Sequence, residues 1–175
     1  LEKVNTDRFN VSWWYRNEFN SDAVSGEYSQ NLIFYGLNYR ANIWLNGELI
    51  ANADTTENPY RIFQIDVSRK IRRGMNAMAV EVFPPKPDDL TIGFVDWNPK
   101  APDNNMGLWR GVKLVRSGSI SVENSFVRSE VDTSTLKSAK LTIGTTLFNH
   151  SAKTTTARLK ASIEDINIDK EVEVR

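Results

Sequence analysis

The sequence LNYRANIWLNGELIA, residues 37–51, decides the fold class of this chain. Apolar side chains occupy the odd positions of Leu37–Leu45, and the even positions are polar except for Trp44. A period of two places one face of a β-strand on a core and the other towards solvent or a ligand. Asn46-Gly47 follows at once, and this pair tolerates the positive φ angles of a type I′ turn. The segment therefore predicts a β-hairpin whose return strand is Glu48–Ala51.

Other short segments are also typical of strands, and almost none of the chain sustains a helical period. Aromatic and β-branched residues favour the pleated surface of a sheet, and Gly, Pro and Asn separate the segments. The predicted strands are Trp13–Phe19, Tyr28–Phe34, Tyr60–Val67, Ala77–Phe83, Val112–Val115, Ile120–Val131, Ala139–Asn149 and Thr154–Ile163. The chain is therefore predicted to be all-β.

The composition changes near Ser117-Gly118. Aromatic residues are frequent before this point, whereas only Phe126 and Phe148 remain after it, among many Thr, Ser and β-branched residues. We predict a jelly-roll sandwich over residues 1–117 and the first strands of an immunoglobulin-like sandwich over residues 118–175. An immunoglobulin-like domain needs roughly 100 residues, so the second sandwich is expected to be incomplete. Because its sheet edges and an apolar face are exposed, the region 119–175 is expected to pair with a neighbouring copy, to swap strands or to be mobile.

The charge and the rare residue types exclude several classes of function. Lysine plus arginine and aspartate plus glutamate both number 22, and a nucleic-acid-binding domain would normally be basic. Cysteine is absent, which excludes disulfides and thiolate metal sites. The one histidine, His150, argues against a histidine-based catalytic or zinc site. No apolar run is long enough to span a membrane. We therefore expect no metal, no cofactor, no nucleic acid and no membrane among the partners.

One long polar connection stands out: Asp96–Arg110, DWNPKAPDNNMGLWR. Pro99 and Pro102 are incompatible with a regular helix or a central strand. A connection of roughly 12–15 residues without regular structure is uncommon unless it has a function or is disordered. Trp97 could stack on the apolar face of a ligand or close the end of the sandwich. Met106–Arg110 is expected to anchor the loop on the sandwich.

Four aspartates lie in or near this loop. A pair of carboxylates could serve acid/base chemistry, or carboxylate oxygens could bind calcium. Aspartate also favours turns, because its side chain bonds to nearby backbone groups. These alternatives apply to Asp88, Asp89, Asp96 and Asp103.

The other tryptophans are predicted to pack in the core or between domains, because indole rings bury a large apolar area. They are Trp13, Trp14, Trp44 and Trp109.

Three stretches together resemble the N-terminal region of glycoside hydrolase family 2. They are WWYRNEF at Trp13–Phe19, FYGLNYRANIWLNGELIA at Phe34–Ala51 and DWNPKAPDNNMGLWRGVKL at Asp96–Leu114. The exo-β-D-glucosaminidase branch is the most similar, with β-mannosidases and β-galactosidases more distant. Members of this family begin with a jelly-roll domain, continue with an immunoglobulin-like sandwich and then carry a TIM barrel.

The resemblance implies that the parent protein hydrolyses a terminal β-linked sugar with retention, most simply glucosamine from chitosan oligosaccharides. Two carboxylates about 5–5.5 Å apart perform this reaction, and the family carries both at the C-terminal face of the barrel. The resemblance therefore implies no catalytic residue in this chain, a carbohydrate substrate and a downstream barrel as partners, and a secreted or periplasmic parent.

The resemblance also implies which residues approach the sugar. Asp96 and Trp97 match the substrate-proximal pair of the family, Asn98 adjoins them, and Asp103 is a further candidate. A carboxylate there would bond to sugar hydroxyls or pair with a glucosamine ammonium group. Two other interpretations stay open: a stand-alone carbohydrate-binding module, and purely structural domains that brace a barrel.

Overall fold

The computed structural model describes residues 4–22, 28–93, 95, 97 and 99–175. The chain forms two compact units, Leu1–Arg116 and Ser117–Arg175. Among the described residues, the regular structure consists of thirteen strands and one 3₁₀ helix, Asp7–Phe9. The prediction of an all-β chain is confirmed. No helix in this described part is long and apolar enough to cross a membrane.

The first unit is a sandwich of antiparallel character. Its strands are β1 (Trp13–Ser21), β2 (Ser29–Phe34), β3 (Leu37–Asn38), β4 (Arg40–Leu45), β5 (Glu48–Ala51), β6 (Phe63–Asp66), β7 (Gly74–Phe83), β8 (Gly107–Leu108) and β9 (Val112–Ser117). They form a four-stranded sheet in the order β1-β7-β4-β5, a three-stranded sheet in the order β6-β2-β9, and the short pair β3-β8.

One core lies between the two larger sheets. Its apolar side chains come from both sheets, from β3 and from the segment after β6, as expected for two packed sheets. The members are Leu32, Phe34, Leu37, Ala41, Ile43, Leu45, Phe63, Val67, Ile71, Met78, Val80 and Val82.

The predicted hairpin is present. Leu45 pairs with Glu48. Asn46 and Gly47 have φ angles of 54° and 86°, which suits a type I′ turn. The side chain of Asn46 also accepts the Ala77 N–H at 3.0 Å, so the turn is bonded to the neighbouring strand.

The two-residue period is interrupted at one position. Ala41, Ile43 and Leu45 are buried as predicted, but Tyr39 is half-buried and Asn38 is fully buried. Tyr39 lies between β3 and β4, which pair with different strands, so the face that points to the core changes there. The prediction that every odd-numbered residue fills the core is wrong at Tyr39 for this reason.

Two strand boundaries also differ from prediction. The strand predicted over Tyr60–Val67 is shorter, because Asn58 has a φ of 107° and the turn that follows extends as far as Tyr60. The strand predicted from Ala77 begins three residues earlier, at Gly74. The buried side chain of Asn76 stabilises the first residues of this strand, because it accepts the Arg72 N–H at 2.9 Å.

The other tryptophans do not lie in the core. Trp13, Trp14 and Trp109 expose 40%, 57% and 38% of their surface, and Trp44 is half-buried. Core packing was therefore a wrong expectation for these residues. The sandwich fills its interior with aliphatic side chains and Phe, and places the indole rings on the surfaces and in the connections.

The second unit consists of two antiparallel hairpins. The strands β10 (Ile120–Val131) and β11 (Ala139–Asn149) form one, and β12 (Thr155–Ile163) and β13 (Ile166–Val174) form the other. Asn149 donates to the Val174 carbonyl at 3.0 Å and so joins the hairpins. Val174 is the one buried residue of this unit. The large apolar side chains that remain exposed are Val122, Phe126, Val127, Val131, Leu136, Leu141, Phe148, Ile166 and Ile168.

A pH-dependent turn joins β10 to β11. The Asp132 carboxylate accepts bonds from the Ser134 hydroxyl at 2.6 Å, the Thr135 hydroxyl at 2.6 Å and the Ser134 N–H at 3.0 Å. These bonds, the Ser134 hydroxyl first, lower the pKa of Asp132 from 3.8 to about 2. Because the folded pKa lies below the unfolded one, the charged carboxylate stabilises the turn above pH ~4, and this contribution is lost as pH falls towards 2.

An NMR titration of the Asp132 side-chain carboxyl carbon measures this pKa directly. We expect about 2 in the intact chain. Ser134→Ala removes the principal donor and should raise the pKa towards 3.8. A value near 3.8 before the substitution would contradict the bonding described for this turn.

Candidate functional site

The connection from β7 to β8 contains the loop singled out in the sequence, and an ion pair fixes its first part. Nη2 of Arg40 on β4 lies 2.6 Å and 2.7 Å from the two carboxylate oxygens of Asp89. Both side chains are nearly buried, with 12% and 11% exposed. Asp89 also accepts the Lys86 N–H at 2.6 Å. Asp89 is therefore an anchor of the loop, and its bonds favour the structural alternative over membership of an acid/base pair.

The Asn38 side chain fixes the end of the same loop. It is fully buried, and its Nδ2 donates to the carbonyls of Asn104 at 3.2 Å and Asn105 at 2.8 Å. Asn104 and Asn105 have φ angles of 53° and 54°, in a left-handed region that asparagine tolerates well. Asn105 in turn donates to the Ile92 carbonyl at 2.9 Å, so the loop is also closed on itself.

The last residues of the loop, Met106–Arg110, pack on the sandwich. Leu108 of β8 pairs with Leu37, and Met106 and Leu108 contact the core. The indole N–H of Trp109 donates to the Pro59 carbonyl at 2.9 Å. A Cβ at Gly36 would lie 2.6 Å from this indole nitrogen, so only glycine leaves room for the ring. The expected anchoring of the loop by Met106–Arg110 is confirmed.

Two grooves lie on either side of the anchored loop, with volumes of about 610 and 620 Å³. The exposed Lys100 borders both. The first is lined by Thr91, Ile92, Gly93, Val95, Pro99, Lys100, Ala101, Asn104 and Asn105. The second is lined by Val4, Thr6, Asn10, Pro99, Lys100, Ala101, Pro102 and Asn104.

The described residues that line the grooves offer several kinds of ligand contact. The described residues that line them include amides, a hydroxyl, an ammonium group and apolar carbons, but no carboxylate. Within the described residues, no group of three His, Cys, Asp or Glu side chains could hold a metal ion. His150 is exposed and its Nε2 lies 2.8 Å from the Ser121 hydroxyl. The polar groups of the grooves can bond to a polar ligand, and Lys100 is the ionisable side chain among the described residues that line them.

The predicted site residues have different environments. Trp97 is 79% exposed, so it does not close the end of the sandwich, and its ring faces are accessible. Asp103 is half-buried, and its Oδ1 accepts the Asn105 N–H at 2.9 Å, which makes it a turn-forming residue of the loop. Asp96 and Asn98 lie outside the described residues. The proposed contacts of all four residues with a sugar stay predictions.

Sequence reasoning missed two residues of this site. Asn38 occupies a polar position of the alternating run, and the period of two placed it on the solvent face. The bend between β3 and β4 turns it towards the loop instead, and no local signal marks that bend. Lys100 lies between two prolines and carries no motif that would separate it from a solvated lysine.

Residues 3–89 match the family model described as glycosyl hydrolase 2 galactose-binding domain-like. This part of the chain belongs to that family. The match includes β1 to β7 and the Arg40–Asp89 ion pair. It also includes Val4, Thr6 and Asn10 of the second groove, whereas the other residues that line the two grooves follow it. The predicted resemblance to the N-terminal region of glycoside hydrolase family 2 is therefore confirmed.

Relatives of the glycosyl hydrolase 2 domain are whole enzymes much longer than this chain. An exo-β-D-glucosaminidase of Amycolatopsis orientalis is 33% identical over 153 residues, which cover 87% of this chain and 14% of the relative. One from Arthroderma benhamiae is 35% identical over 156 residues, which cover 88% of this chain and 18% of the relative. The crystal structure of the Amycolatopsis orientalis exo-chitosanase superposes with a TM-score of 0.89 at 30% identity, covering 98% of this chain and 20% of that chain.

The anchoring by Asn38 can be tested by Asn38→Ala. The carbonyls of Asn104 and Asn105 lose their donor, and at about 0.5–1.5 kcal/mol for each hydrogen bond we expect the free energy of unfolding to fall by about 1–3 kcal/mol. Amide hydrogen exchange should also become faster in residues 91–105. Urea unfolding followed by tryptophan fluorescence reports the first unit, because all five tryptophans lie in it.

Asn31→Ala is the matched control, since the Asn31 amide makes a 3.3 Å bond to Ser29 away from the loop. Equal exchange rates in the loop of both variants would show that Asn38 does not hold it.

Proposed function

We propose that this chain is a non-catalytic N-terminal part of a retaining, exo-acting glycoside hydrolase that removes terminal β-linked sugars, with glucosamine of chitosan oligosaccharides as the substrate. The observation that carries the proposal is the loop fixed by Arg40–Asp89 and Asn38, which bears an accessible indole at Trp97. The names of the relatives support the sugar, because they are exo-β-D-glucosaminidases.

In this proposal the loop is one wall of a pocket shared with a downstream barrel. The Trp97 ring would contact the apolar face of the terminal sugar. The Asp96 carboxylate would pair with the glucosamine ammonium group or accept bonds from hydroxyls, and Asn98 would add an amide. Asp103 would contribute its Oδ2 atom, since Oδ1 already accepts the Asn105 N–H.

The chemical steps belong to the barrel. A retaining glycosidase uses one carboxylate as nucleophile and a second as acid and base, about 5–5.5 Å apart. The residues of this chain would orient the sugar and exclude water, which lowers the cost of reaching the reactive geometry. The proposed substrate, chitosan, is a polymer found outside the cell membrane. We therefore propose a secreted or periplasmic location for the parent protein.

We also propose the domain boundary at residues 117 and 118, with an incomplete immunoglobulin-like sandwich after it. The exposed apolar side chains and the open edges of its two hairpins support this assignment. The 175-residue chain alone should then self-associate through the second unit. Sedimentation velocity measures this: we expect a concentration-dependent dimer fraction, and a monomer at all concentrations would contradict the proposal.

The pocket wall is tested in the whole protein. Trp97→Ala removes a stacking surface worth about 1 kcal/mol or more, so kcat/KM for chitosan oligosaccharides should fall about 5- to 10-fold. Asp96→Ala should lower kcat/KM for glucosamine more than for a neutral sugar, because it removes the charge partner.

Trp13→Ala is the control, because Trp13 is a partly exposed tryptophan outside the loop, and kcat/KM should stay within about twofold of the parent. Unchanged kcat/KM in both loop variants would favour domains that only brace a barrel. The 175-residue chain alone should not bind a glucosamine disaccharide at Trp97; measurable binding there would favour a stand-alone carbohydrate-binding module.

A further inference from the structure

A second aromatic surface lies on the outer face of the four-stranded sheet. Trp14 on β1 pairs with Glu81 on β7, and Trp44 on β4 pairs with Ala79 on the same strand. The two indoles therefore flank β7 on one face, opposite to the face formed by buried Val80 and its neighbours. Their ring centroids are 5.0 Å apart with an interplanar angle of 27°, so they form one continuous surface.

This surface is open and already ordered. Trp14 exposes 57% of its area, although an exposed indole would gain from burial. Because the rings stack, each covers one face of the other, and a ligand can reach the outer faces and the edges of the pair. Each ring limits the rotation of the other. A ligand that binds to the pair therefore causes little further loss of side-chain entropy. A single exposed apolar side chain is common on protein surfaces. A stacked pair of exposed tryptophans forms a larger apolar patch, and such patches mark interaction sites.

A fixed carboxylate adjoins the rings. Glu81 is half-buried, and its two oxygens accept the Ser12 hydroxyl at 2.9 Å and the Asn42 amide at 3.2 Å. Asn42 is itself held, because its Oδ1 accepts the Ala53 N–H at 2.9 Å. These bonds use one lone pair of each Glu81 oxygen and leave capacity for further donors.

The charges of this face are unequal. Arg16 and Glu18 follow Trp14 on the same face of β1, and they form an ion pair that cancels their charges. The Glu81 carboxylate therefore gives the surface near the rings a net negative charge. A cationic ligand is complementary to it, and an anionic one is disfavoured.

These properties together fit an amino sugar. The C–H face of a pyranose ring stacks on an indole, and its hydroxyl and ammonium groups need fixed acceptors at the ring edge. A protein partner would instead favour a centre depleted of charged groups. We propose that Trp14, Trp44 and Glu81 form a binding platform for the glucosaminium units of a β-linked glycan chain.

The platform uses none of the residues that line the loop grooves. It goes beyond the proposed pocket wall, and only the choice of chitosan as the probe rests on the proposed function. A longer oligosaccharide presents more glucosaminium units to the rings and to Glu81, so it should bind more tightly than a disaccharide.

The test is an NMR titration of the 175-residue chain with a fully deacetylated glucosamine hexamer. The five indole N–H signals are assigned from single tryptophan variants. We expect the Trp14 and Trp44 signals to shift with saturation, and the Trp109 signal, whose N–H is bonded to Pro59, to stay in place. A shift of Trp97 reports the loop separately, so either proposal can fail without the other.

Variants test each component of the platform. Trp14→Ala should weaken hexamer binding about 5- to 10-fold, and Trp14→Phe, which keeps a ring, should weaken it less. Glu81→Gln should weaken binding of the glucosamine hexamer but not of a neutral cellohexaose. Glu130→Gln removes the same charge in the second unit and should leave binding unchanged. Unshifted core methyl signals show that each variant is folded.

Three results with the 175-residue chain would overturn the platform. They are the absence of Trp14 and Trp44 shifts at millimolar hexamer, equal affinity of the parent and Trp14→Ala, and equal loss of glucosamine and cellohexaose binding in Glu81→Gln. Loss of the Trp14 shift in the whole protein, with the shift retained in this chain, would show that another domain covers the surface, and would also overturn it.

Discussion

The ion pair between Arg40 and Asp89 is the contact on which the loop site depends. Both side chains are almost buried, and a buried charge that loses its partner costs about 3–5 kcal/mol. The pair is therefore favourable only while the start of the loop stays against β4. Arg40 is further confined, because its guanidinium lies 4.9 Å from the centre of the Tyr39 ring. The position of β4, which the core determines, thus sets the position of the loop.

The strand pattern of Leu37–Leu45 serves two purposes. Its odd positions supply Leu37, Ala41, Ile43 and Leu45 to the core, while two of its even positions, Asn38 and Arg40, hold the two ends of the loop. The same alternation puts Asn42 and Trp44 on the outer face, where they belong to the proposed platform. The two consecutive strands β3 and β4 therefore connect the core, the loop and the outer surface, because successive side chains of a β-strand point to opposite faces.

The parts that the sequence predicted are those with local causes. The Asn46-Gly47 hairpin and the strands Ile120–Val131 and Ala139–Asn149 depend on turn chemistry and on a period of two, and both are visible in short windows. The Arg40–Asp89 pair joins residues 49 positions apart, and Asn38 reaches residues 66 and 67 positions away. Such contacts between distant residues cannot be predicted from a short segment of the sequence. The exposed tryptophans were missed because hydrophobicity predicts burial but does not say on which side of a sheet a ring lies.

The residues that anchor the loop, Asn38, Arg40 and Asp89, are not the loop residues that are proposed to contact a ligand. A binding residue must be held to within about half an ångström, and loops achieve this less well than strands. Here the anchoring residues lie on the rigid sandwich. The loop therefore loses its conformational entropy when the chain folds, and not when a ligand binds. The family match ends at residue 89 and so includes Asp89 but not residues 91–105. Asn38, Arg40 and Asp89 therefore lie in the family domain, whereas residues 91–105 of the loop lie outside the match.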